Sequence, residues 1–384
     1  MSYDRVAVYC FYDREGNVGR DVFCLLEDLK RNIDFLIIVV NGKLNNENVF
    51  QGLADEVVIR GNSGFDAGAY KRIIFDEKYA SIIRNAEELV LCNSSFFGPF
   101  VPFSEIFGKM EKNDADFWGI SSYERGIIEH LQSYFLVYRK KVLRGDVFFA
   151  FFEEYIQEET TDYTEVCAVF ENGLFRRLVE AGYGYDAYVK GITCHNYKNP
   201  YGSLAIDGLP LVKKKIFSRE YFSEKNALDA LSYLSQNYEY DVRLILEGAE
   251  QIYHISMELE SVTSHKPGAV SADWKEGIRK EKREAIGKFV EENKRIFIYG
   301  AGVAARSLYM TFFSYKNRPR LEGFVISDDQ TVKEKSLSGY PVYKFHEVKD
   351  IHEAAVIVGL EKENSRKVRS SLSGIERLIY LWDE

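Results

Sequence analysis

Short, wholly apolar runs alternate along this chain with stretches in which apolar residues recur every three or four positions. Val6-Ala-Val-Tyr-Cys-Phe-Tyr12 and Phe35-Leu-Ile-Ile-Val-Val40 are rich in β-branched and aromatic residues, and a helical stretch around Val22 to Lys30 separates them. Strand, helix, strand in that order predicts parallel pairing with both faces covered. Val57-Val-Ile59 reads as a third strand, Ala69 to Asp76 as a helix and Leu89 to Cys92 as a fourth strand. Asp116 to Ile120 and Tyr134 to Tyr138 supply two more strands, followed by helices near Phe148 to Ile156 and Phe170 to Ala181. After Pro210 the sequence turns polar and helical to about residue 260, and Ser264-His-Lys-Pro-Gly-Ala reads as a linker. A charged helix from Trp274 to Asn293 then leads into strands at 295–299, 321–326, 354–359 and 377–381, with helices between. That alternation fits a small doubly wound sheet. The expected class is α/β, with a first domain over 1–218, a helical linker region over 219–290 and a small Rossmann-like domain over 291–384.

Composition narrows the function. At 384 residues, 46% of them hydrophobic, there is material for two cores, and aromatics at 15% add flat surfaces suited to sugar or base stacking. A formal charge of −9 without a sustained basic patch argues against nucleic acid as a partner. The five cysteines are scattered and lack a CxxC or zinc pattern, which fits reduced thiols. No signal-like N-terminus and no uncharged run of membrane length is present, so the expectation is a cytoplasmic protein, at most peripheral at the inner face of the membrane.

Two segments carry candidate chemistry in the first half. In Asn62-Ser-Gly64-Phe-Asp66-Ala-Gly68-Ala-Tyr70 the glycines would let backbone approach a ligand closely, and Asp66 would accept from a ribose or sugar hydroxyl. The same residues suit a helix N-terminus capped by Asn62 or Asp66. About twenty residues on, the apolar run 89–92 ends in Asn93-Ser94-Ser95, at the carboxyl end of a strand, where an open α/β sheet forms its ligand crevice. Together they read as a nucleotide-sugar site, with Tyr9 and Asn41 at neighbouring strand ends. His130 and Gln132 alternate onto one face before a strand and are candidates for the sugar or acceptor side. His195 is a candidate metal ligand or diphosphate donor. Lys213-Lys214-Lys215 is a candidate contact for anionic lipid head groups or a diphosphate, but three lysines at about 1 kcal/mol each anchor poorly to an anionic surface, and a solvated face is the expected account. In the C-terminal part, Gly300-Ala-Gly302-Val-Ala-Ala305 follows a strand and opens a helix, with Asp328 at the end of the next strand. That is the context of a dinucleotide turn, so NAD or another nucleotide is a candidate ligand there, although the same glycines also serve helix–strand packing.

Six blocks in order, Asn62-x-Gly-Phe-Asp-x-Gly-Ala-Tyr70, Leu91-Cys-Asn93-Ser-Ser95-x-x-Gly98-Pro99, Asp116-Phe-Trp-Gly119, His130-Leu-Gln-Ser-Tyr-Phe135, Glu171-x-Gly-Leu174 and Gly208-Leu-Pro-Leu-Val-Lys213, resemble the rhamnan synthesis protein F family over roughly residues 5–218. These are bacterial glycosyltransferases of cell-wall and surface-polysaccharide assembly. The resemblance implies a GT-A-like domain that moves a sugar, typically rhamnose from dTDP-rhamnose, to a growing glycan on a lipid carrier, in company with other assembly enzymes. Glu171 opens a pattern of acid, Leu at +3, Arg at +6 and Gly at +11 that resembles the surroundings of the base in inverting glycosyltransferases. A carboxylate there would take the acceptor hydroxyl proton. Where GT-A enzymes usually carry Asp-x-Asp, and this family Asn-Asp-Ser, the chain has Asn93-Ser94-Ser95. Either Mg2+ or Mn2+ is held by Asn93, Ser95, His195 and the diphosphate itself, or no metal is used. Two rivals stand beside this reading. One is a nucleotide-dependent sugar-modifying enzyme built on Gly300 and Gly302; the other is a non-catalytic scaffold for glycan assembly.

Overall fold

The computed structural model describes residues 3–125, 128–192, 195–268, 280–313, 321–331, 335–337, 339–360 and 362–381. The chain divides into two compact units. The first comprises Met1–Tyr123, Leu131–Thr161 and Arg177–Lys275, the second Glu124–His130, Asp162–Arg176 and Glu276–Glu384.

The first unit is built on β1 (Arg5–Phe11), β2 (Phe35–Asn41), β3 (Glu56–Arg60), β4 (Glu88–Asn93), β6 (Phe117–Arg125), β8 (Phe135–Arg139) and β9 (Tyr185–Ile192), with the short β5 (Phe96–Phe97) and β10 (Val212–Lys213) paired apart from them; β7 is Ile128–Leu131. The order β3-β2-β1-β4-β8-β6, with β9 beside β6, is parallel from β3 through β4 and antiparallel at β8. Runs such as Leu36 to Val40 are buried at every position because helices cover both faces of these parallel strands. Helix α1 (Arg20–Lys30) lays Val22, Leu25, Leu26 and Leu29 on Ala7, Tyr9, Phe11 and Ile38. Each such side chain contributes about 1.5–3 kcal/mol on burial. Since β2 and β4 lie on opposite sides of β1, the winding reverses between β1 and β4, the place where open α/β sheets receive ligands at their carboxyl ends.

The stretch expected as a helical linker does not stand apart. Helices Glu224–Asn237, Arg243–Tyr253 and Leu259–Ser264 share a core with Phe97, Phe100, Val212, Ile216 and Phe217 of the first unit. The junction after Ser264 is tied back as well, with Ser232 Oγ donating to the His265 carbonyl; residues 269–279 lie outside the description.

The second unit carries β11 (Ile296–Tyr299), β12 (Leu321–Ile326), β13 (Ser336–Leu337), β14 (Tyr340–Lys344), β15 (Ala355–Val358) and β16 (Arg377–Tyr380), ordered β13-β14-β12-β11-β15-β16 and parallel apart from β13. Apolar cores cover both faces. Both units are therefore mixed α/β structures with parallel strands. Segment 162–176 departs from the single helix expected over 170–181: helix Tyr163–Cys167 runs into a π-helical turn, Ala168–Leu174, before α-helix resumes at Phe175–Glu180. Asn172 and Gly173 are poor interior helix formers, which lowers the cost of the wider turn.

Candidate functional site

At the reversal between β1 and β4 the backbone is stitched by Ser94, whose N–H donates to the Cys10 carbonyl (3.0 Å) and whose Oγ accepts from the Tyr12 N–H (3.1 Å). Tyr12 stands half exposed just past β1. From there a row of side chains runs outward. Asn93 Nδ2 donates to Asp66 Oδ2 (2.8 Å), Ser95 Oγ donates to Asn93 Oδ1 (2.6 Å), and Lys213 Nζ donates to Ser95 Oγ (2.8 Å). The Lys213 ammonium also lies 4.6 Å from the Tyr134 ring centre. Asp66 is thus brought to Asn93 across 27 positions, and Lys213 to Ser95 across 118. From the sequence the lysine run is a candidate diphosphate contact, with a solvated face the expected account. The Lys213 signal was there, in the Val-Lys that closes the sixth block.

The loop that delivers Asp66 is held by Arg60 at the end of β3. Its Nη1 donates to Asn41 Oδ1 (3.0 Å) and its Nη2 to the Ser63 carbonyl (2.7 Å), while Asn41 Nδ2 donates to the Phe65 carbonyl (2.9 Å). Asn41 is accordingly buried behind the loop. The glycines serve the same packing. Gly64 is left-handed (φ 69°), its N–H donates to the Thr160 carbonyl (2.7 Å), and a Cβ there would lie 2.7 Å from the Glu158 carbonyl oxygen. A Cβ on Gly68 would meet the Ser63 carbonyl at 3.2 Å. Room for a ligand was the expected reason for these glycines; close approach of segment 157–160 and of the Arg60 loop is the reason found. The carbonyl of Asn62 accepts from the Phe65 N–H (3.3 Å) within that turn, ahead of helix α2 (Phe65–Ile74). Tyr9, expected in the crevice, points instead into the α1 core, and burial raises its phenol well above the usual range.

The lysine run is a second correction, because none of its three members stands on a solvated face. β10 pairs antiparallel with β5, the Lys213 N–H donates to Asn196 Oδ1 (2.7 Å) and the Lys214 N–H to the Ser95 carbonyl (2.9 Å). Lys214 is buried in an ion pair with Asp21 of α1 (2.5 Å), and Lys215 lies 5.0 and 4.8 Å from the rings of Tyr197 and Tyr221. His195, next to Asn196, is stacked between Tyr123 and Tyr197, with ring centres 4.6 and 5.0 Å away. Among the described residues no group of three or more His, Cys, Asp or Glu side chains suits a metal ion. At the strand end itself, Asn93 Oδ1 is engaged by Ser95, Asp66 is the single carboxylate in the row, and an ammonium sits on Ser95. That donor set does not fit Mg2+ or Mn2+, which favour several anionic or carbonyl oxygens and are repelled by a neighbouring cation.

Glu171 belongs to the second unit, inside the π-turn, and its Oε2 lies 3.7 Å from Nε2 of the buried His130. Asp162 accepts from the Thr164 and Glu165 N–H groups (2.9 and 3.1 Å), capping the helix that leads into this turn. It also pairs with Arg306 Nη2 (2.9 Å) on helix Val303–Phe312. Gln132 falls in the first unit, where its Oε1 accepts from Ser121 Oγ (3.1 Å). In the C-terminal turn Gly300 is left-handed (φ 123°), and a Cβ there would lie 2.7 Å from the Gly359 carbonyl oxygen; around Gly302 the space is open. Asp328 accepts from the His346 N–H (3.1 Å) and lies 2.8 Å from its ring Nδ1, contacts that hold its carboxyl below the usual range.

The family model described as rhamnan synthesis protein F matches residues 36–288. Among solved structures, the crystal structure of the glycosyltransferase GlyE in Streptococcus pneumoniae TIGR4 aligns with 97% of this chain and 100% of that chain, at 12% identity and a TM-score of 0.30, which is too low to define a common fold. No curated protein matches the chain.

Proposed function

This chain belongs to the rhamnan synthesis protein F family, and from that premise we propose that it is an inverting glycosyltransferase of surface-polysaccharide synthesis, with a GT-A-like first unit and a Rossmann-like C-terminal unit. The donor is a nucleoside-diphosphate sugar, rhamnose or a related deoxysugar, and the acceptor a growing, lipid-linked glycan. The observation that carries this reading is the row Asp66, Asn93, Ser95 and Lys213 at the reversal between β1 and β4. In the reaction an acceptor hydroxyl oxygen attacks the anomeric carbon, the bond from that carbon to the diphosphate oxygen breaks, and the hydroxyl proton passes to Glu171. His130, at 3.7 Å, orients that carboxylate. The lipid-linked acceptor is met peripherally or through an assembly partner; no helix among the described residues is long and apolar enough to cross a membrane.

Turnover of a panel of nucleoside-diphosphate sugars tests the reading. Glu171→Gln is expected to lower transfer by about 10²–10⁴-fold while leaving nucleoside-diphosphate affinity within a few-fold, since it removes a proton acceptor and not a phosphate contact. Turnover retained in Glu171→Gln would remove that residue from the role. Absence of turnover and of any nucleoside-diphosphate binding in the folded wild-type chain would overturn the transferase reading.

A further inference from the structure

We infer that Lys213 supplies the positive charge for the donor's pyrophosphate, so that this chain binds nucleoside diphosphates without a divalent metal. The inference rests on the transferase reading and deepens it by assigning the diphosphate subsite.

Hydrogen-bond direction carries the argument. The Asn93 amide donates through Nδ2 to Asp66 and accepts through Oδ1 from Ser95. The single Ser95 hydroxyl proton is therefore committed to Asn93, and Ser95 Oγ accepts from Lys213. The row has a cationic end at Lys213 and an anionic end at Asp66. A pyrophosphate is drawn to the first and repelled by the second, and a sugar or ribose hydroxyl finds an acceptor at the second. Two neutral side chains between them hold these charges apart and fix their order.

Two other cations of the first unit are engaged in packing. Arg60 is spent on Asn41, Ser63 and Phe65, and Lys214 is buried against Asp21. Lys213 is also built in place: its N–H is held by the buried Asn196, its strand is paired with β5, and its ammonium lies over the Tyr134 ring. Fixing the ammonium beforehand spares the ordering entropy that a mobile surface lysine would lose on binding. An ammonium at Ser95 occupies the electrostatic place that a carboxylate-held cation would take, which accounts for a strand end of neutral oxygens.

The test is calorimetric titration of the full-length chain with dTDP, UDP, GDP and CDP, in EDTA and in Mn2+, beside the matching nucleoside. The expected result is binding of one diphosphate in EDTA, changed less than about 3-fold by Mn2+. Lys213→Met is expected to weaken that binding by about 10- to 100-fold, the range of a charge-assisted hydrogen bond, and to leave nucleoside binding unchanged. Lys213→Arg, which keeps the charge, guards against misfolding of the Met variant and is expected to retain most of the affinity. Diphosphate binding that requires Mn2+, or that survives unchanged in Lys213→Met, would overturn the inference and leave the transferase reading standing. No binding of any diphosphate by the folded chain under either condition would overturn both.

Discussion

The buried pair of Asp21 and Lys214 offers a quantitative test of how the lysine segment is anchored. Asp21 lies in the first turn of α1 and Lys214 directly follows the proposed phosphate lysine; their side chains are 4% and 8% exposed, 2.5 Å apart. Removing one partner leaves a charge out of water, at a cost of about 3–5 kcal/mol. Asp21→Leu should be the more damaging change. A carboxylate stranded in Lys214→Met still enjoys the N-terminus of α1, a benefit of about 0.3–1 kcal/mol, whereas a stranded ammonium keeps only the Phe97 ring at 4.9 Å. The double variant replaces the pair by apolar groups and should lie near wild type or above it, by up to about 4 kcal/mol. Urea unfolding followed by Trp118, buried in the first unit, measures this in a background with Trp274 and Trp382 changed to Phe. Single losses below about 1 kcal/mol, or a double variant at the sum of the two singles, would refute a desolvated pair and with it the rigid placement of Lys213.

Two further outcomes follow from the same structure. Gly64→Ala should destabilise the first unit by about 2–5 kcal/mol in thermal or urea unfolding, since it puts a Cβ into a left-handed residue and 2.7 Å from a backbone carbonyl; a change below about 1 kcal/mol would mean that segment 157–160 yields freely. At Asp229, burial pushes the carboxyl up, but His265, the Lys225 ammonium and the Gly268 N–H outweigh it and hold it below its ordinary value. A depressed folded-state pKa gives stability that is present above the unfolded carboxylate value and lost as pH falls through the folded one. Asp229→Asn should therefore flatten the acid limb of the stability profile below about pH 4, and an unchanged limb would assign it to other carboxylates.

The strands were legible because their signal is local. Val6 to Phe11, Phe35 to Val40, Leu89 to Cys92 and Ile296 to Tyr299 are apolar at consecutive positions, and a run of that length between helical stretches has few other homes than a doubly covered sheet. Asp66 and the strand end at Asn93 were legible for a related reason, since a turn with glycines and an abrupt change from apolar to polar both show in a short window. The roles of Tyr9 and Asn41 were not, because burial depends on which helix covers which face. The helices after residue 223 read as a linker because polar residues run through the whole stretch, and only the aromatic surface at Phe97, Phe100 and Phe217 reveals what their apolar faces cover.

What the sequence determined by itself was the kind of elements, their order, and the small polar groups that end the fourth strand, all consequences of periodicity and of residues adjacent in the chain. What only tertiary structure decided was partnership across long separations. Lys213 reaches Ser95 across 118 positions, Arg306 meets Asp162 from a separate segment of the second unit, and Gly64 is needed for a carbonyl at Glu158. A lysine run looks solvated in any window of sequence. Its charges become structural when each ammonium meets a specific carboxylate, hydroxyl or ring, and those encounters are set by strand order and packing, which no local pattern encodes.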